Sequence, residues 1–358
     1  MNYENEKWSV HLPDRKLDIC EENYKEFFDT MLERQLIWKR RFIDKLPRPW
    51  TTDQILRDNK FTNVYRSLDK NSMWEIENII LNDNLDLKNL IWKILFFRLF
   101  NNPTTFSYSP PVHVDLFGNP LEANNILDCA CQFGKDGDGI PDYDDYDADR
   151  YLAWLKRLRS MGENPFTNAY LISSKGDRDT YFTKTVLPEF HDRLDELIER
   201  CKTETSAEKL FKYLKTFPNI ADFMAFQLYM DLTYVNKFTK HKFLLVDENS
   251  ATTIGPGSGL GLRLIFPSAC TNKEQLEKLS ELTKAAEAYY NDNYPGQFPY
   301  LHFDKDNKKF YVSNECSITL SEIEQWLCEY EKYWKMKIGE GKQRSKFEPK
   351  TKKFKTVQ

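Results

Sequence analysis

Apolar residues recur at intervals of three and four along most of this 358-residue chain, with charged residues between them. Phe27-Met31-Leu32, Trp92-Leu95-Phe96, Leu194-Leu197 and Leu210-Phe211-Leu214 each lay an apolar stripe along one helix face, so the spacing predicts a mainly α fold. Helix breakers cluster at 46–49, 101–111, 133–141 and 254–261, which read as loops. Residues 300–312, around Asp304-Lys305-Asp306-Asn307, read as a short β-hairpin. A hydrophobic fraction of 41% can fill one helical body or two lobes. We expect an N-terminal lobe over 1–150, a second lobe over 151–334 and a basic tail over 335–358.

No run of eighteen apolar residues is present, and the polar start Met1-Asn2-Tyr3-Glu4 is unlike a signal peptide, so a cytoplasmic protein with no membrane partner is expected. Seven cysteines at irregular spacing make a poor disulfide framework, and reduced thiols follow. Cys129 and Cys131 read as ordinary buried cysteines with no zinc partner set. No cofactor is expected, and the chain reads as a monomer. The formal net charge of -4 is strongly segregated. Residues 136–149 hold seven Asp and no Lys or Arg, whereas 335–358 carry a net charge of +7, which attracts phosphate.

The acidic insert at 134–149 opens with Gly134-Lys135-Asp136-Gly137-Asp138-Gly139. It resembles the calcium loops of thrombospondin type 3 repeats and, more loosely, EF-hands. Its first ligand position is Gly134 and no tandem copy follows, so the expectation is a solvated insert without metal.

Aromatic and cationic side chains crowd into residues 34–69, the combination needed to hold a nucleobase and its phosphates. Trp50, Phe61, Tyr65 and Tyr170 are candidate stacking surfaces. Asn63, Arg66 and Arg98 are candidates for a base edge or phosphates. Residues 209–234 read as an amphipathic helix, a tight turn at Thr216-Phe217-Pro218-Asn219-Ile220-Ala221 and a second, otherwise apolar helix from Asp222. This resembles a helix-hairpin-helix, although Asn219 and Ala221 stand where glycines are usual, and a left-handed Ala would distort the turn. Asp231 shares a helix face with Met224, Gln227 and Tyr234 and is one candidate catalytic carboxylate; Asp247, after Leu244-Leu245-Val246, is the rival. Gly255-Pro256-Gly257-Ser258-Gly259 offers either backbone N–H groups to a phosphate or a tight helix-packing turn. It lacks the Gly-Lys-Ser/Thr of a nucleotide-binding P-loop. Cys328-Glu329-Tyr330-Glu331-Lys332-Tyr333 reads as an amphipathic helix leading into a basic exit with Arg344.

Together with Asn168-Ala169-Tyr170 and Asp231-Leu232, these blocks resemble the helical, DNA-glycosylase-like family of 5-hydroxymethyl-deoxyuridine DNA kinase helical domains and alpha-glutamyl/putrescinyl thymine pyrophosphorylases. The resemblance implies a mainly α, helix-hairpin-helix fold with a minor hairpin, and double-stranded DNA carrying modified pyrimidines as partner. It also implies that Glu329 orders an arginine and Lys332 meets phosphate. Two reactions stay open at this level. The leading expectation is a glycosylase that excises a bulky 5-modified pyrimidine in anti-phage defence, without a covalent imine because Phe223 stands where bifunctional enzymes carry lysine. The alternative is a transferase that joins an amine or amino acid to pyrophosphorylated 5-hydroxymethyluracil in DNA. A non-catalytic reader of modified DNA is the third.

Overall fold

The computed structural model describes residues 18–108, 129–135, 137–167, 174 and 176–341. Tyr170, Arg344, Asp136 and most of the basic tail lie outside these residues. The chain packs as two units and crosses between them near residues 68, 253, 302 and 311. Among the described residues helices dominate, as the apolar spacing predicts, with one two-stranded sheet formed by β1 (Tyr300–Asp304) and β2 (Lys309–Ser313). Among the described residues no helix is long and apolar enough to cross a membrane.

The first unit contains α1 (Glu21–Trp38), α2 (Gln54–Asp58), α12 (Pro256–Ile265), α13 (Asn272–Asn293) and α14 (Leu320–Lys337). Its core is aromatic: Phe28 stacks on Tyr289 at 4.6 Å, and Phe27 meets Tyr330 edge-on at 5.6 Å. Trp326 Nε1 donates to Phe27 O at 3.2 Å, satisfying the one polar atom of a buried indole. The breakers at 254–261 do not form the loop expected of them. Pro256 occupies the first helical turn, where its missing N–H costs nothing, and the glycines run along α12. A Cβ at Gly261 would stand 2.2 Å from Leu327 O, and one at Gly257 would stand 2.6 Å from Cys328 Sγ. These glycines let the α12 backbone approach the α14 backbone at Leu327 and the Cys328 side chain.

The second unit contains α3 (Lys70–Glu75), α4 (Leu87–Phe100), α5 (Pro103–Ser107), α6 (Ala148–Ser160), α7 (Arg178–Tyr181), α8 (Leu187–Asp192), α9 (Leu194–Thr203), α10 (Ala207–Leu214) and α11 (Asp222–Phe238). α5 interrupts the expected 101–111 loop because Asn102 caps it and Pro103 starts it. α10 and α11 form the predicted helical hairpin. Asn219 is left-handed (φ 58°), but Ala221 is extended (φ -93°, ψ -179°) and caps α11, so the turn needs no glycine there. α4 and α11 are buried on every side over most of their length, which makes them the central pair of this unit. At the hairpin tip Phe303 and Phe310 pack on Phe238 at 4.9 and 5.5 Å.

Two of the cations on α4, Lys93 and Arg98, are buried, and each is met by two carboxylates. Lys93, 1% exposed, donates to Asp138 at 2.5 Å and sits 2.9 Å from Asp142. Ile140 O also accepts from it, at 3.2 Å. The loop resembling a calcium site is therefore closed around a lysine ammonium. Its tightness explains Gly139: φ is +82°, and a Cβ would fall 1.9 Å from Phe106 O. Burial pushes the Asp138 carboxyl up despite the Lys93 contact. Among the described residues no group of three His, Cys, Asp or Glu could hold a metal. We expect EDTA to leave the thermal unfolding midpoint unchanged. Lys93→Met should lose about 3–5 kcal/mol, as one-sided removal from a buried ion pair does. A chelator-sensitive midpoint in the wild type would contradict the lysine-filled loop.

The expectation of seven reduced thiols is corrected at one pair. Cys129 and Cys131, partly buried and exposed, form a disulfide, with Cα atoms 5.2 Å apart and so within bridging range. Cys20, Cys201, Cys270, Cys316 and Cys328 are free thiols.

Candidate functional site

The first unit gathers the conspicuous sequence blocks onto one face of α14. Glu324, Cys328 and Lys332 recur every fourth position, with Gln325 and Glu329 beside them, so all five lie on neighbouring strips of the helix. Gln325 Nε2 donates to Asn63 O at 2.7 Å, and Glu329 Oε2 accepts the Thr62 backbone N–H at 3.1 Å. Lys332 Nζ bonds the other Glu329 oxygen. Glu329 is thus a brace between the 61–66 segment and a lysine, where the sequence reading had it ordering an arginine. Arg34 also meets this segment, its Nη2 donating to Asn63 Oδ1 at 2.7 Å. Asn63 Nδ2 in turn donates to Leu68 O at 2.7 Å, fixing the amide between two partners.

The aromatic candidates here divide by exposure. Phe61 and Tyr65 are buried, and the Tyr65 hydroxyl pairs with Ser317 Oγ at 2.9 Å. Burial raises its pKa well above the ordinary phenol value. Both rings pack as core. Trp50 is partly buried and has two guanidinium groups over its ring.

At the start of α12 the Ser258 hydroxyl accepts the Gly255 N–H at 2.9 Å and donates to Gly255 O at 3.2 Å. The turn therefore caps itself. The Glu324 carboxyl lies at this helix end, interacting with Ser258, the Gly255 N–H and the Arg66 charge. Burial raises the Glu324 pKa above the ordinary carboxylate value, and those three favourable partners only partly offset it. A carboxyl that changes charge closer to neutral pH, next to a buried arginine, suits proton transfer. Sequence reasoning passed over Glu324, although its place four residues before Cys328 puts it on the same helix face. Lys332 has its pKa raised: burial opposes the charge, but Glu329, Cys328 and Glu331 outweigh it. Burial pushes the Cys328 thiol up to about 11, so it is no thiolate nucleophile at neutral pH.

The remaining candidates sit in the second unit. Asp231 is 0% exposed, and Arg98 grips its carboxylate with Nε and Nη2, the latter at 2.6 Å. Arg98 Nη2 also donates to Glu75 at 2.8 Å, and Nη1 to Asn101 Oδ1 at 3.2 Å. All four residues are enclosed in the core. Gln227 is buried on the same face of α11, as the spacing predicts. Asp247 is exposed and closes a turn, its Oδ1 accepting from Asn249 N at 2.9 Å and Ser250 Oγ at 2.8 Å. Phe223 is exposed at the first turn of α11.

A family model described as the helical domain of 5-hmdU DNA kinase matches residues 21–112 and 134–343. The chain belongs to this family. A relative named 5-hmdU DNA kinase, from Bacillus phage SP10, is 26% identical over 321 residues, 86% of this chain and 44% of the relative. The chain thus spans less than half the length of the curated relative it matches. No solved structure matches. These findings overturn the glycosylase and hydrolase reading, because the kinase named in the family and in the relative is a group-transfer enzyme. A helical hairpin is a way to meet DNA and does not dictate base excision. The glycosidic-bond roles considered for Asp231 and Asp247 go with that reading.

Proposed function

We propose that this chain acts on DNA carrying a 5-hydroxymethyl pyrimidine and performs group transfer at the base's exocyclic methylene carbon. The reaction class is displacement of pyrophosphate from pyrophosphorylated 5-hydroxymethyluracil by an amine or amino acid. The observation that carries this reading is the Glu324 carboxyl, its pKa raised by burial, beside Arg66 and within one α14 turn of Cys328 and two of Lys332. In the step itself the amine nitrogen bonds to the methylene carbon, the carbon–oxygen bond breaks, and pyrophosphate leaves with the electron pair. Glu324 takes the proton that the amine sheds, and Arg66 and Lys332 supply positive charge for the departing anion. The test is pyrophosphate release from a duplex bearing the pyrophosphorylated base. Release should require both that duplex and a primary amine; release that ignores the amine, or none with any amine tried, counts against the reading.

A further inference from the structure

α1 ends in a π-helical turn, Lys39–Ile43, that runs into an internally braced hook. Leu46 N donates to Arg40 O at 2.8 Å, and Trp50 Nε1 donates to Leu46 O at 2.7 Å. Arg40 Nη1 reaches both Glu33 at 2.7 Å and Trp50 O at 2.6 Å, tying the hook back to α1. Residues 42–49 are all exposed. Of the nine large apolar side chains exposed among the described residues, Phe42 (46%), Ile43 (44%) and Leu46 (49%) fall within five positions. Arg41 lies 4.6 Å from the Phe42 ring and 5.2 Å from Trp50, and Arg48 lies 5.4 Å from Trp50. Residues 39–50 carry a net charge of +4 in a chain of net charge -4.

A rigid projection that shows apolar tips to water inside a cationic collar needs a partner that is polyanionic outside and apolar within. A base stack between two phosphate backbones is such a partner. We propose that residues 39–50 are a duplex-DNA wedge: Phe42 and Leu46 enter between base pairs while Arg41 and Arg48 hold the flanking phosphates. Wedging of this kind unstacks a step and opens a base to the protein. The inference rests on the proposed function for its choice of DNA as partner, and it adds how the duplex is opened.

The test uses the full chain and a duplex with 5-hydroxymethyluracil beside 2-aminopurine, whose fluorescence rises when it unstacks. Wild type should raise the signal severalfold. Phe42→Ser with Leu46→Ser, both at the surface, should abolish the rise while duplex affinity stays within about threefold, because phosphate contacts dominate affinity. Arg41→Gln with Arg48→Gln should weaken binding about tenfold or more and flatten the salt dependence by about two phosphates' worth. A rise that survives the double serine change would overturn the wedge. So would a wild-type dimer in sedimentation that this change splits with duplex binding untouched, since the hook would then be a contact between copies. A protein that unstacks the probe but transfers nothing keeps the wedge and loses the proposed reaction; one that transfers with a silent probe does the opposite.

Discussion

Arg98→Met is expected to cost the fold about 3–5 kcal/mol, the range for removing one side of a buried ion pair. The guanidinium is 1% exposed and stands between Glu75 and Asp231, both 0% exposed, so its loss leaves two carboxylates in the core of the second unit without their cation. Desolvation is what makes this large; the same pair on the surface would be worth about 1 kcal/mol or less. The check is a denaturant titration that compares Arg98→Met with the triple change Arg98→Met, Glu75→Gln, Asp231→Asn. The neutral triple should recover most of the loss, because an uncharged cluster needs no counter-ion. A single-variant loss below about 1 kcal/mol would mean that water reaches the cluster. On this account Asp231→Asn also registers as a stability defect.

Glu324→Gln should lower the transfer rate by roughly a hundredfold to ten-thousandfold, the usual contribution of a positioned acid or base. It should also remove an acid limb from the rate profile, which in the wild type lies above the ordinary carboxylate range because burial raises the Glu324 pKa. Stability should move the other way. A raised folded pKa means that the folded chain binds this proton more tightly than the unfolded chain does. The contribution is complete below the unfolded value and is lost as pH rises through the folded one. Gln cannot ionise, so Glu324→Gln should be the more stable protein at neutral pH and lose that advantage in acid. A variant with wild-type rate and an unchanged acid limb would remove Glu324 from the chemistry.

Much of the fold was legible. Intervals of three and four placed α1, α4, α9 and α10, and the Asp304-Lys305-Asp306-Asn307 turn placed the hairpin, because both signals are local. The Gly-rich stretch was misread as a loop because its glycines answer to α14, some seventy residues away in sequence, where Leu327 and Cys328 leave no room for a Cβ. The pairing of Lys93 with Asp138 and Asp142 was hidden for the same reason: the acidic loop showed its carboxylates, and the cation came from another helix. At the candidate site the sequence marked Asn63, Arg66, Glu329 and Lys332, which the first unit holds along or beside one face of α14. It missed Glu324 and took Arg34 only as the edge of the aromatic and cationic stretch. Their importance comes from partners, Ser258 and Arg66 for the one and Asn63 for the other, and partners are set by packing. The reaction was not legible because a helical hairpin can meet DNA under many chemistries.

Transfer to the base is read from the mass of the target nucleoside after reaction. Duplex carrying pyrophosphorylated 5-hydroxymethyluracil is incubated with the protein and a primary amine, digested to nucleosides and weighed by mass spectrometry. The expected product is a deoxynucleoside that has lost the pyrophosphate and gained the amine through a carbon–nitrogen bond, with its sugar still attached. A nucleoside unchanged in mass under every amine supplied would contradict the proposed transfer.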